Sequence, residues 1–218
     1  LINTHTFNRI IIAVEGIYSM SGDILNRDIF EVADRYNALL IVDEAHSVGV
    51  VGENLRGVFD LFGITPKDNH IKMGTLGKAL GSYGAYILCS EHLATFLCNR
   101  AKAIIYTTAP SLFDIALGYQ SFLYILKHKE TLKEEIKKRQ AIIFNTLGHT
   151  LSGMICAHPL PSNKDALHLQ QTLLEKGFLV GAIRPPTVSS PILRLIPRLA
   201  HSQEELTCLC QLIQEELS

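Results

Sequence analysis

The chain has 218 residues, 47% of them hydrophobic, with 20 basic against 21 acidic side chains and no tryptophan. That length buries a sizeable core, as one large domain or two smaller ones. A charge balance near zero removes the electrostatic ground for binding nucleic acid or an anionic membrane, and no uninterrupted apolar run approaches the length needed to cross a bilayer.

Leu1-Ile2-Asn3-Thr4 carries neither a basic segment nor a small-residue cleavage site, so no secretory signal is expected. With no initiator Met and a buried-looking strand close behind, the chain is expected to begin inside a longer protein. Arg9-Ile10-Ile11-Ile12-Ala13-Val14 and Ala38-Leu39-Leu40-Ile41-Val42 are short continuous apolar runs, ending at Glu15-Gly16 and at Asp43. Both read as parallel strands covered on two faces. Ile29, Val32, Ala33 and Tyr36 recur between them at helical spacing, which completes a βαβ unit. Further strands are expected at Ile71-Lys72-Met73, Ala85-Tyr86-Ile87-Leu88 and Ala103-Ile104-Ile105-Tyr106.

After Pro110 the texture changes. Residues 112–147 read as one long helical region, and the charges from Lys133 to Arg139 read as a solvated helix face rather than an anion site. Beyond Gly148 the pattern alternates again. A strand is expected at Met154–Ala157, a helix at Lys164–Lys176, and strands near Phe178–Ile183 and Ile192–Ile196. Ser202-x-x-Glu205 is a capping box opening a last helix with the stripe Leu206, Leu209, Ile213, Leu217. The expected architecture is α/β, with a large domain over residues 1–112 and a connecting helix plus smaller α+β domain over 113–218. Cys208-Leu209-Cys210 falls inside the helical pattern. With Cys89, Cys98 and Cys156 it makes an odd set without metal-type pairing, read as reduced thiols in a cytoplasmic protein.

The chemistry concentrates in two segments, Ile41-Val42-Asp43-Glu44-Ala45-His46 and Thr75-Leu76-Gly77-Lys78-Ala79-Leu80-Gly81. A lysine among small residues suits a Schiff base to an aldehyde cofactor, and a carboxylate ending an apolar strand suits a protonated pyridine nitrogen. Together they point to pyridoxal phosphate. Asp43 alone also reads as a helix cap or a structural ion pair, and His46 alone as a satisfied structural histidine. Thr75 offers a hydroxyl for a phosphate, and Gly74, Gly77 and Gly81 permit close backbone approach.

Two other readings compete. Asp43-Glu44-Ala45-His46 matches the acidic box of a helicase class, but the phosphate loop that chemistry requires is absent from the chain. A metal site from Asp43, Glu44 and His46 is disfavoured, because residues at a strand end alternate in direction and no second ligand cluster accompanies them. A non-catalytic α/β module remains the alternative from a different class.

Val14-Glu15-Gly16-Ile17-Tyr18-Ser19-Met20-Ser21-Gly22-Asp23, Asp43-x-Ala45-His46, Thr75-x-Gly77-Lys78-Ala79-x-Gly81 and Ile105-Tyr106-Thr107-Thr108 closely resemble the α-oxoamine synthases. These are fold-type I pyridoxal phosphate enzymes that join an amino acid to an acyl thioester. The resemblance covers essentially the whole chain, but only the C-terminal portion of the family's length. It implies Lys78 as cofactor lysine and proton acceptor, and Asp43 on the ring nitrogen. It puts His46 and Ser19 on the phenolic oxygen and Thr75 on the phosphate. Thr107 or Thr108 would reach the phosphate of a neighbouring subunit's cofactor in a homodimer, and Arg194 would clamp the substrate carboxylate. Glu15 is implied near the reacting carbon, and Arg184 near the acyl substrate with a structural role an equal alternative. Ala182-Ile183-Arg184-Pro185-Pro186-Thr187-Val188 with Leu193-Arg194-Leu195 resembles the branch acting on L-alanine and a pimeloyl thioester. The branches making aminolevulinate or aminoketobutyrate are the alternatives. The family's ring-stacking histidine and glycine-rich phosphate loop would lie upstream. Asp23-Ile24-Leu25-Asn26 and Arg198 depart from its usual pattern.

Overall fold

The computed structural model describes residues 7–217. Its contacts divide them into two units: the residues up to Ile17 with Ile24–Lys129, and Tyr18–Asp23 with the residues from Glu130 on. The division thus falls after Lys129, later than residue 112.

In the first unit the apolar runs become strands β1 (Ile11–Glu15) and β2 (Leu39–Asp43), joined through helix α1 (Asp28–Arg35). Helix α2 (Val58–Phe62) leads to β3 (His70–Thr75), and β4 (Ala85–Leu88) follows it. The sheet order is β1-β2-β3-β4, parallel across the first three strands and antiparallel at β4. Ile12 pairs with Leu40 and Val14 with Val42, and this face packs on Phe30, Ala33, Val58 and Phe59. The opposite face is less covered than the continuous runs suggested, since Ile11 is 56% exposed and Ala13 is also exposed.

Helices α3 (Glu91–Arg100), α4 (Lys102–Ile105) and α5 (Leu112–Lys127) complete this unit. The segment expected as a strand at Ala103–Tyr106 is therefore helical, turned by bonds from the N–H groups of Ile104 and Ile105 to the Ala101 carbonyl. A four-residue apolar run carries no period able to separate the two states. Among the described residues, no helix is long and apolar enough to cross a membrane.

The second unit holds α6 (Lys129–Leu147), β5 (Cys156–Pro159), α7 (Asn163–Glu175), β6 (Gly181–Ile183), β7 (Ile192–Leu195) and α8 (Gln203–Glu216). Its antiparallel sheet runs β5-β7-β6. The helical region expected over 112–147 is interrupted at His128, which leaves α5 and α6 as separate helices. Helix α8 opens with the expected capping box, Ser202 with Glu205. It buries Leu206, Cys210 and Ile213 against Ile143, Leu169, Leu173, Leu193 and Leu195, whereas Leu217 stays 42% exposed. The five cysteines are free thiols, and burial pushes the Cys156 and Cys210 thiols up to about 12 and about 11.

Arg139 departs from the expected solvated face: it is only 4% exposed. Its Nε donates to the Arg198 carbonyl (3.2 Å), Nη2 to the carbonyls of Leu199 (3.2 Å) and His201 (2.7 Å), and Nη1 to Glu135 Oε2 (2.6 Å).

Candidate active site

Parallel strands in register carry their last residues to a common edge, the side on which open α/β sheets bind ligands. Here Glu15 lies beside Asp43, and Asp43 beside Met73. The loops leaving that edge are stitched together. Gly16 N donates to the Asp43 carbonyl and Glu44 N to the Met73 carbonyl, both at 2.7 Å. Asp43 is half-buried, and its Oδ1 accepts the Ala45 N–H at 2.8 Å, which orients the carboxylate within its own turn. His46 sits half-buried in that turn.

Thr75 closes β3 at the same edge. Its Oγ1 is buried and, among the described residues, has no hydrogen-bond partner. A desolvated hydroxyl in that state is costly. Residues 76–84 then form a loop closed by Leu76 N to Gly84 O (2.9 Å), Ser82 N to Leu76 O (2.8 Å) and Gly81 N to Lys78 O (3.0 Å). Leu80 is buried beneath it at 3% exposure, while Lys78 stands on the exposed side. The Ser82 hydroxyl ties the loop to α5 through the Asp114 carbonyl at 2.6 Å. Gly49, at φ +79°, brings the chain beyond His46 against this loop, since a Cβ there would sit 2.6 Å from the Ala79 Cβ. Glycine is required by both the φ and the approach. The first unit thereby carries Glu15, Asp43 and Thr75 at the ends of three adjacent strands, with His46 and Lys78 on the loops that follow β2 and β3.

Glu44, weighed in the sequence only within the competing motifs, is fully buried. Its Oε2 accepts Val58 N (2.9 Å) and the Ser47 hydroxyl, and its Oε1 lies 3.4 Å from both Phe59 N and Lys72 Nζ. Lys72 Nζ also donates to the Arg56 carbonyl at 2.5 Å. Glu44 is thus engaged in the interior and does not face the open edge as a metal- or water-holding carboxylate. Among the described residues, no group of three or more His, Cys, Asp or Glu is placed to hold a metal. Burial, and secondarily the Glu44 charge, raise the Tyr86 phenol above its ordinary range.

Thr107 and Thr108 lie in an exposed segment after α4. The remaining expected residues belong to the second unit. Arg194, on β7, is half-buried and donates from Nε to the Ser19 carbonyl at 2.7 Å, and burial pulls its guanidinium below the usual range. Ser19 therefore meets Arg194 through its backbone. Arg184 is exposed at the end of β6, its carbonyl accepting Thr187 N at 3.1 Å.

Residues 1–213 match the Aminotransferase class I and II family. The chain is 49% identical over 196 residues to 8-amino-7-oxononanoate synthase of Helicobacter pylori, an alignment covering 89% of this chain and 52% of that protein. It is 35% identical over 216 residues to the synthase of Methylococcus capsulatus, covering 94% and 55%. It thus spans about half the length of the curated relatives it matches. Among solved structures, 8-amino-7-oxononanoate synthase from Francisella tularensis superposes with a TM-score of 0.75 at 29% identity, over 96% of this chain and 63% of that one. A point variant of serine palmitoyltransferase from S. paucimobilis, solved with a bound PLP–myriocin aldimine, superposes with a TM-score of 0.84 at 24% identity, over 94% of this chain and 54% of that one, a likeness of fold. The α/β, fold-type I architecture expected from the sequence is the one these structures share, and the chain belongs to the Aminotransferase class I and II family.

Proposed function

We propose that this chain is part of a pyridoxal phosphate-dependent acyltransferase of the 8-amino-7-oxononanoate synthase kind. It joins L-alanine to a pimeloyl thioester of coenzyme A or carrier protein, with loss of carbon dioxide and the thiol, as a step of biotin synthesis in the cytoplasm. One observation carries the reading: Asp43, Thr75 and Lys78 stand on one sheet edge of a chain 49% identical to such a synthase.

The residues fit the cofactor. The buried Thr75 hydroxyl, without a partner among the described residues, would be a donor for a phosphate oxygen. Lys78 stands in an exposed loop, and the Asp43 carboxylate is oriented by Ala45 N. Pyridoxal phosphate, when bound, supplies the electron sink for charge developing on the amino acid's α-carbon. Asp43 would pair with the protonated ring nitrogen. Lys78 Nζ would be the amine that holds the cofactor and the base for the α-proton. His46 and Ser19 would bind the phenolic oxygen. Arg194, whose Nε donates to the Ser19 carbonyl, would clamp the substrate carboxylate by the resemblance, a task its planar fork suits. Glu15 orients groups at the reacting carbon and Arg184 receives the acyl substrate. Thr107 or Thr108 would reach the neighbouring subunit's cofactor phosphate in a homodimer.

The test is reductive trapping. The protein carrying this chain is incubated with pyridoxal phosphate, reduced with borohydride, and the modified lysine mapped by mass spectrometry beside Lys78→Ala. Label confined to Lys78 is expected, followed by 8-amino-7-oxononanoate formation from L-alanine and pimeloyl thioester. Label spread over surface lysines and unchanged in the variant overturns the assignment.

A further inference from the structure

We infer that Glu44 is a positioning residue for the site proposed above, acting through the turn that carries Asp43 and His46. The inference rests on that reading for the cofactor and on geometry alone for the turn. Glu44 is fully buried between Asp43 and Ala45, and its carboxylate collects donors from separate elements. The first helical N–H of α2 reaches it from Val58 (2.9 Å), the Ser47 hydroxyl from its own turn, and the Lys72 ammonium from β3 (3.4 Å). Two glycines make room for it. A Cβ on Gly16, just past β1, would lie 3.0 Å from Glu44 Oε2, and one on Gly57, at φ +95°, would overlap the carboxyl group. The end of β1, the start of α2 and the middle of β3 therefore converge on one carboxylate, whose backbone N–H is bonded to Met73 O at 2.7 Å.

A buried ion pair is a poor way to gain stability, because well-packed apolar replacements are often as stable or more so. What the pair does supply is direction. The charge can be satisfied only where Val58 N, Ser47 and Lys72 meet, which fixes the flanking Asp43 and His46 on the open edge. Proposed catalytic geometry of this kind is sensitive, with displacements near an ångström costing about 10²-fold.

The test separates positioning from bulk stability with Glu44→Gln and the double variant Glu44→Gln/Lys72→Met, in the protein carrying this chain. Three quantities are read: unfolding midpoint in urea, amide hydrogen exchange of residues 44–48 without cofactor, and affinity for pyridoxal phosphate by absorbance titration. Glu44→Gln is expected to lower the midpoint, speed exchange at Ala45 and Val48, and weaken cofactor binding about tenfold, the loss of one charge-assisted contact's worth of order. The double variant, which leaves no unpaired buried charge, recovers the midpoint but neither the exchange protection nor the affinity. Recovery of all three in the double variant overturns the inference, as does unchanged exchange in the single variant. If the unsubstituted protein fails to trap cofactor at Lys78, the proposed function falls while the exchange data still decide the role of Glu44.

Discussion

Replacing Thr75 by Val should move stability and cofactor affinity in opposite directions. The Thr75 Oγ1 is buried and lacks a hydrogen-bond partner among the described residues. An unsatisfied buried hydroxyl costs about 1–3 kcal/mol, so exchanging it for a methyl of similar volume should stabilise the cofactor-free protein by about 1 kcal/mol. For a unit of this size that raises the melting temperature by about 4 °C. If the hydroxyl donates to a phosphate oxygen, its loss removes a hydrogen bond to a charged group, worth about 1.5–3 kcal/mol and thus roughly 10- to 150-fold in affinity. Urea unfolding followed by circular dichroism, and an absorbance titration with pyridoxal phosphate, read the two effects separately. Valine's strand preference adds a few tenths of a kcal/mol in the stabilising direction. Thr75→Ser, which keeps the hydroxyl and loses the methyl, is the control: less stable, with affinity retained. A Thr75→Val protein that is less stable than the original, or that binds pyridoxal phosphate unchanged, refutes the reasoning.

Arg139→Met should cost about 3 kcal/mol by urea unfolding, because it strands Glu135 and three carbonyls around a buried site; Arg139→Lys should not rescue it, since one ammonium cannot span that fork. Gly57→Ala should cost roughly 2–4 kcal/mol, combining a left-handed φ of +95° with overlap of the Glu44 carboxyl group. The second unit should lose stability in mild acid through His158, whose Nδ1 lies 2.8 Å from His149 Nε2. Burial first, and His149 second, lower its pKa below 6.5 in the folded state. Its contribution is therefore complete above pH 6.5 and drains away as pH falls through the folded value. Melting temperatures from pH 8 down to pH 5 should fall less in His158→Gln than in the original protein, and parallel curves would exclude the pair as the cause.

What the sequence made legible was the set of places where one physical demand dominates. The strand ending in Asp43, the strand core at Ile71-Lys72-Met73, and a helix announced by Ser202 and Glu205 were readable because hydrophobic period and capping chemistry act over a few adjacent residues. The helix at Lys102–Ile105 was not, since its turn is set by bonds to Ala101 rather than by a repeating apolar face. Arg139 looked like one charge among many in Lys133–Arg139, because three of its partners are backbone carbonyls about sixty residues away, and a carbonyl carries no side-chain signature. The partnership of Arg194 with Ser19 also escaped the sequence at atomic level, since the contact is to the serine carbonyl and not to its hydroxyl.

Asp43 and Glu44 show most sharply why residue type alone underdetermines a site. Two adjacent carboxylates at a strand end point in different directions, and here one is half-buried at the open edge while the other is enclosed at 0% exposure. The same four letters serve a nucleotide-hydrolysing box in other proteins, where a carboxylate must reach metal and water. In this chain that reach is excluded by what surrounds Glu44: an amide at the start of α2, a serine hydroxyl, a lysine from β3, and two glycines whose missing side chains provide its volume. The four letters therefore acquire their meaning from Gly16, Gly57, Val58 and Lys72, residues that carry no motif of their own. If Glu44 directs the turn as inferred, the placement of Asp43 depends on a carboxylate enclosed in the interior.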